Sequence, residues 1–143
     1  GETELLAAYA TPIPLVIITE MLGVPRDMGP QLVEWSHRMV AMYMHGSDRE
    51  TQCRADEAAR DFSAFIREYA RRRHASPGDD LLSLLISAKE DGEQLSEDEL
   101  VSSAILLLNA GHEATVHQLG NAIFTILAQD GDPRRGPGRR AGA

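Results

Sequence analysis

The sequence predicts an all-α fold of about five helices, the last one long and central, followed by a disordered tail. Three observations carry this. Apolar residues recur at three- and four-residue spacing along most of the chain, no stretch alternates with period two long enough to make a strand, and helix caps and turns separate the periodic segments. Residues 1–128 read as the helical domain and 129–143 as the tail.

From Glu4 to Leu22 the residues Leu5, Leu6, Tyr9, Ile13, Val16, Ile17 and Met21 keep helical spacing, with Pro12 and Pro14 marking a turn into the helix. Gly23-Val24-Pro25 stops it. A second helix is expected from about Pro30 to Met44, with Leu32, Trp35, Met39, Val40 and Tyr43 on one side. Its Met39, Met42 and Met44 suit either a core or an adaptable binding surface, core filling being the commoner use. Ser47 or Asp48 can cap a third helix to about Arg73, packed through Ala58, Phe62, Phe65, Ile66 and Tyr69. Arg67, Arg71, Arg72 and Arg73 make its end basic, which suits the negative end of a helix dipole and reads as solvated charge.

Asp79 or Asp80 can cap a short fourth helix through Lys89, and Asp91-Gly92 marks the next turn. Ser96-Glu97-Asp98-Glu99 is a capping box that opens the longest helix, to about Ala128, nearly all apolar from Ala104 to Leu108. After Gln129 the chain carries glycine, proline and arginine without large apolar residues, the composition of disorder.

The chain has 143 residues, a net charge of −8 and one cysteine, Cys53. That charge opposes binding to nucleic acid or an anionic membrane, since both require clustered positive charge. A lone cysteine forms no internal disulfide, and no signal-peptide pattern is present, so a reduced, cytoplasmic protein is expected. The apolar runs fall well short of the roughly 20 residues that cross a bilayer. The absence of an initiator Met suggests that the sequence starts inside a larger protein.

The residues with most chemical content are Ala110-Gly111-His112-Glu113-Ala114-Thr115. A helix-interior glycine costs about 1 kcal/mol relative to alanine, so a glycine followed by an acid and a hydroxyl marks a place where something approaches the backbone. The alternative is close packing on another helix. His112 and His117 flank Glu113 much as in zinc proteases, but they are five residues apart and diverge by about 140° around a regular helix, which excludes a shared metal.

This stretch, with Gly120-Asn121, resembles the oxygen-activating helix of bacterial cytochrome P450 monooxygenases, whose motif is Ala/Gly-Gly-x-Asp/Glu-Thr. Ile13-Pro14-Leu15, Met21-Leu22-Gly23-Val24-Pro25, Trp35-Ser36, Pro77-Gly78-Asp79-Asp80-Leu81-Leu82 and Leu95-Ser96-Glu97-Asp98-Glu99-Leu100 resemble the same family in the same order. The resemblance covers roughly Leu5 to Leu127 and the segment usually named helices E to I. It implies haem b as cofactor, with Ala110 and Gly111 against its distal face and Leu107, Ala110 and Ala114 lining the substrate pocket. It also implies that Glu113 and Thr115 serve proton delivery, and that the second and third helices roof the pocket. The implied partners are a small hydrophobic organic substrate and a ferredoxin-type electron donor.

Two departures bear on activity. Ala114 stands where the family usually has threonine, and the nearest hydroxyl, Thr115, is one step of about 100° away. A substrate hydroxyl or water would then stand in for the missing one. The axial-cysteine loop and the Glu-x-x-Arg helix are absent, and Cys53 lies in Thr51-Gln52-Cys53-Arg54 without that loop. The expectation is a central helical segment that does not catalyse by itself, its Gly-Pro-Arg tail being consistent with a frameshift or premature end. The alternative is a noncatalytic binding module derived from such an enzyme. Truncation, by contrast, leaves apolar faces unpaired and favours self-association.

Overall fold

The computed structural model describes residues 4–90 and 93–130. A π-helical turn, Leu6–Ala10, leads into α1 (Pro12–Leu22), and a 3-10 turn, Arg26–Met28, leads into α2 (Gly29–Ala41). Then come α3 (Arg49–Ala75), α4 (Leu81–Ser87) and α5 (Glu97–Asp130). Between α4 and α5, where no strand was expected, β1 (Lys89–Glu90) and β2 (Glu93–Gln94) pair antiparallel with Lys89 opposite Gln94. Such a hairpin is too short to show a period-two pattern.

Local chemistry sets the boundaries. Pro12 occupies the first position of α1, and Gly23 closes the helix at φ 75° with its N–H donating to Glu20 O, while the Val24 N–H donates to Thr19 O. This double closure satisfies the Thr19 and Glu20 carbonyls and turns the chain toward α2. Asp48 caps α3 by accepting from Thr51 N at 2.8 Å, and Asp80, of the two candidates, caps α4 by accepting from Ser83 N at 2.8 Å. The capping box of α5 forms in both directions. Ser96 N donates to Glu99 Oε2 at 2.8 Å and Glu99 N to Ser96 Oγ at 3.3 Å. The arrangement holds Glu99 below the usual carboxylate range, because its charged form accepts from the Ser96 hydroxyl and N–H.

The core is one cluster, made by Ile18 and Leu22 of α1, Leu32 of α2, Phe62 and Ile66 of α3, Leu82 of α4, and Leu100, Val101, Ala104, Ile105 and Leu108 of α5. Trp35 sits over Phe62 and Phe65, at ring-centroid distances of 5.6 and 6.1 Å, joining α2 to α3. The expected face of α3 is the packed one. That of α1 is not: Leu6, Tyr9, Ile13, Val16, Ile17 and Met21 are exposed, and Ala10, Pro14, Ile18 and Leu22 are buried. The segment is apolar on all sides, so spacing alone selected the wrong stripe.

Other boundaries differ less. The second helix ends at Ala41, so Tyr43 and Met44 lie beyond it and are exposed, while Met39 packs against the core. The fourth helix stops two residues early, and α5 runs to Asp130, past the expected start of the tail. The turn at Asp91-Gly92 and the tail from residue 131 lie outside the described residues. No helix among the described residues is long and apolar enough to cross a membrane.

Candidate functional site

At 34 residues, α5 extends about 50 Å and passes through the whole assembly. Leu100, Val101, Ala104, Ile105, Leu108 and His112 form its buried side. Leu106, Leu107, Ala110 and Ala114 are exposed. Leu107, Ala110 and Ala114 recur at three and four residues, so they share a strip facing out of the assembly. Two alanines one turn apart make that strip low and flat, a surface against which a planar ring can lie.

Gly111 turns the other way. A Cβ there would lie 2.9 Å from Ile18 Cδ1, so the missing side chain lets α5 lie against α1. Glu113 is half-buried and follows Ala110 by three residues, placing it beside the strip. Thr115 is exposed and one helical step off it. Leu107, Ala110 and Ala114 are therefore brought together with Glu113 at one edge; Gly111, four residues after Leu107 and three before Ala114, borders the strip on the side where Ile18 packs, and Thr115 lies off it.

Two features escaped the sequence reading. His112 is only 3% exposed, and its ring lies 6.3 Å from that of His37 on α2. Burial, reinforced by His37, pushes its pKa below the usual imidazole value, against the smaller opposing effects of Glu113 and the Thr11 carbonyl. The signal for its burial was its spacing from Ile105 and Leu108, which extends the inward stripe by one turn.

The second is a tie among three chain segments. Asp80, 7% exposed, lies 3.0 Å from Arg73 Nε, and the same guanidinium donates to Gly23 O at 2.7 Å. A Cβ on Gly23 would lie 2.3 Å from Asp80, so the glycine is required by contact as well as by its positive φ. The other arginines of the basic end are also engaged: Arg67 with Asp98, Arg71 with Glu97 at 3.4 Å, and Arg72 with Glu68 at 3.1 Å. They therefore offer little free charge to a partner.

The outward strip fits one face of a planar cofactor. The described residues offer no matching axial thiolate, since Cys53 is an exposed free thiol on α3.

The same helical arrangement occurs in solved cytochrome P450 structures. The ligand-free structure of cytochrome P450 TbtJ1 matches with a TM-score of 0.80 and 32% identity, over 91% of this chain and 34% of that one. The fold is thus that of the helical region of the cytochrome P450s. Cytochrome P450 107B1 of Saccharopolyspora erythraea is 36% identical over 127 residues, 89% of this chain and 30% of that protein. The 6-deoxyerythronolide B hydroxylase of the same organism is 37% identical over 128 residues, again 89% of this chain and 30% of that protein. No family model matches. On these likenesses the chain belongs to the bacterial cytochrome P450 family, as a central helical segment spanning about a third of the length of its curated relatives.

Proposed function

We propose that the Leu107–Ala110–Ala114 strip is the distal wall of a haem and substrate pocket whose other walls come from segments outside this sequence. The observation that supports this is the coincidence of the family motif with an outward, low-profile strip of α5. When bound, haem would supply the activation of dioxygen, using two electrons from a ferredoxin-type donor, for oxidation of a small hydrophobic organic substrate. Ala110 and Ala114 leave the ring and substrate room to approach the helix. Glu113, beside them and half-buried, holds a carboxylate that can carry protons from solvent to the pocket. Gly111 contributes indirectly, by seating α5 on Ile18.

Ala114 supplies no hydroxyl, and Thr115 lies off the strip, so proton delivery depends on a substrate hydroxyl or water. The exposed Cys53 is not the axial ligand in this reading, and the 143-residue chain alone performs no haem-thiolate reaction.

The test is to graft residues 5–127 in place of the matching segment of the 36%-identical Saccharopolyspora protein. The graft should take up haem and give a thiolate-type spectrum when reduced with carbon monoxide, and Ala114→Trp should abolish substrate oxidation. Ala114→Thr should change how tightly reductant use is coupled to product. An Ala114→Trp graft that oxidises substrate at the unchanged rate overturns the assignment of the strip.

The exposed apolar faces of α1 and α5 favour a second reading, a binding module. An ungrafted chain that is folded and monodisperse and ignores haem would support it.

A further inference from the structure

We propose that the buried His112 ring, packed beside His37, is a pH-sensitive clasp that holds α2 against α5 while His112 is neutral and releases it when His112 gains a proton. The inference rests on this chain's own packing and stands without the haem reading.

Among the described residues, the buried ionisable side chains are Asp80 and His112. They are treated very differently. Asp80 has Arg73 as counter-ion and Ser83 N as donor, whereas His112 Nε2 has no hydrogen-bond partner among the described residues. A buried imidazole with an unsatisfied nitrogen has little to offset the cost of a positive charge.

The charged and polar groups around it come from three elements. From α2 it meets His37, from the start of α1 the carbonyl of Thr11, and on its own helix Glu113. Arg38, next to His37, is engaged by Glu34 at 3.6 Å and Glu57 at 3.2 Å. Glu113 and the Thr11 carbonyl favour a proton on His112, while burial and His37 oppose it more strongly, so the ring is held neutral.

The way this cost is relieved follows from the packing. Gly111 interlocks with Ile18, so α1 cannot leave α5 without opening the core. By contrast, α2 is fastened to α3, through Leu32 and Trp35 against Phe62 and Phe65, and meets α5 at the histidine pair. Its far end runs into the exposed Met42, Tyr43 and Met44. Movement of α2 away from α5 would let water reach His112 while leaving the Gly111–Ile18 contact in place.

The sign is fixed by the lowered pKa. The neutral clasp contributes fully above the ordinary imidazole value of 6.5 and is lost as pH falls through the lower folded-state value.

Hydrogen exchange of the 143-residue chain between pH 7.5 and 5.5, corrected for intrinsic rates, tests the clasp. Protection of residues 29–41 should fall at least about threefold on acidification relative to residues 55–70 of α3. His37→Gln, on the exposed side, should keep the fold and lessen that change only in part, because burial of His112 remains, and His112→Gln should remove all of it. Equal protection of α2 at both pH values overturns the proposal. So does an unchanged pH response in His112→Gln, or a chain without protected amides at pH 7.5.

Discussion

Helices α3 and α5 are the two longest in the molecule, with 27 and 34 residues, and they are opposites in how they are satisfied. In α3 one stripe, Ala55, Ala58, Phe62, Ile66 and Ala70, is buried, and the outer side carries charges that pair with one another or with the start of α5. Its apolar stripe is covered within the chain. In α5 the inner side is buried to the same degree, but Leu106 is 67% and Phe124 72% exposed, with Ile126 and Leu127 about half exposed. A one-sided helix belongs at the outside of a domain, and a helix apolar all round belongs at its centre. Among the described residues, the side of α5 onto which Ala110 and Ala114 face is therefore left uncovered. α1 behaves like α5, with a second apolar stripe left uncovered.

The comparison breaks most completely where α3 meets the rest of the core. Phe62 is fully buried and supports Trp35. Phe62→Ala should cost about 3–5 kcal/mol, because it removes both the transfer energy and the packing around the cavity. Urea unfolding followed by circular dichroism would show this as a large fall in midpoint or as loss of the transition. A change under about 1 kcal/mol would mean that the core does not depend on α3.

The same contrast explains what was readable in the sequence. Where a helix has one apolar side, as α3 does, periodicity identified its buried residues, and the caps at Asp48 and Ser96 fixed where helices begin. Where a helix is apolar on both sides, periodicity had no power to choose, and for α1 the stripe richer in large residues turned out to be the exposed one. For the candidate site, motif order was enough to place Leu107, Ala110, Glu113 and Ala114 on one helix. The direction of Gly111 toward Ile18 depends on which helix crosses α5 at that turn, and the closeness of His37 to His112 joins residues 75 positions apart. Neither leaves a local trace. The Arg73–Asp80–Gly23 tie is equally non-local, since Arg73 in a basic run is indistinguishable from its solvated neighbours until α1 is folded beside it.

A smaller effect tests the seam between α5 and α1. Gly111→Ala would raise intrinsic helix stability by up to about 1 kcal/mol, yet place a Cβ 2.9 Å from Ile18 Cδ1. Overpacking of that kind costs about 1–3 kcal/mol, so a net loss of about 1 kcal/mol is expected. Ile18→Val removes the Cδ1 atom. In that background Gly111→Ala should become neutral or stabilising, a coupling that a double-mutant cycle reads directly. Additive effects would show that the glycine is not there to admit Ile18.

The smallest effect is expected on the uncovered stripe of α1. Ile17 is 50% exposed and lies one helical step, about 100°, from the buried Ile18. In a self-sufficient domain, an apolar residue half out of water still loses some contact when replaced by a charge. Here the surrounding stripe of Ile13, Val16 and Met21 is itself exposed, so Ile17→Glu should change the unfolding free energy by less than about 0.5 kcal/mol. Its effect should appear in association instead. An exposed apolar stripe drives self-contact, and a carboxylate at its centre should shift the chain toward monomer in sedimentation velocity. A loss of stability comparable to that of Gly111→Ala would mean that α1 already finds a partner for this stripe within the chain, and the resemblance between α1 and α5 as half-covered helices would fail at α1.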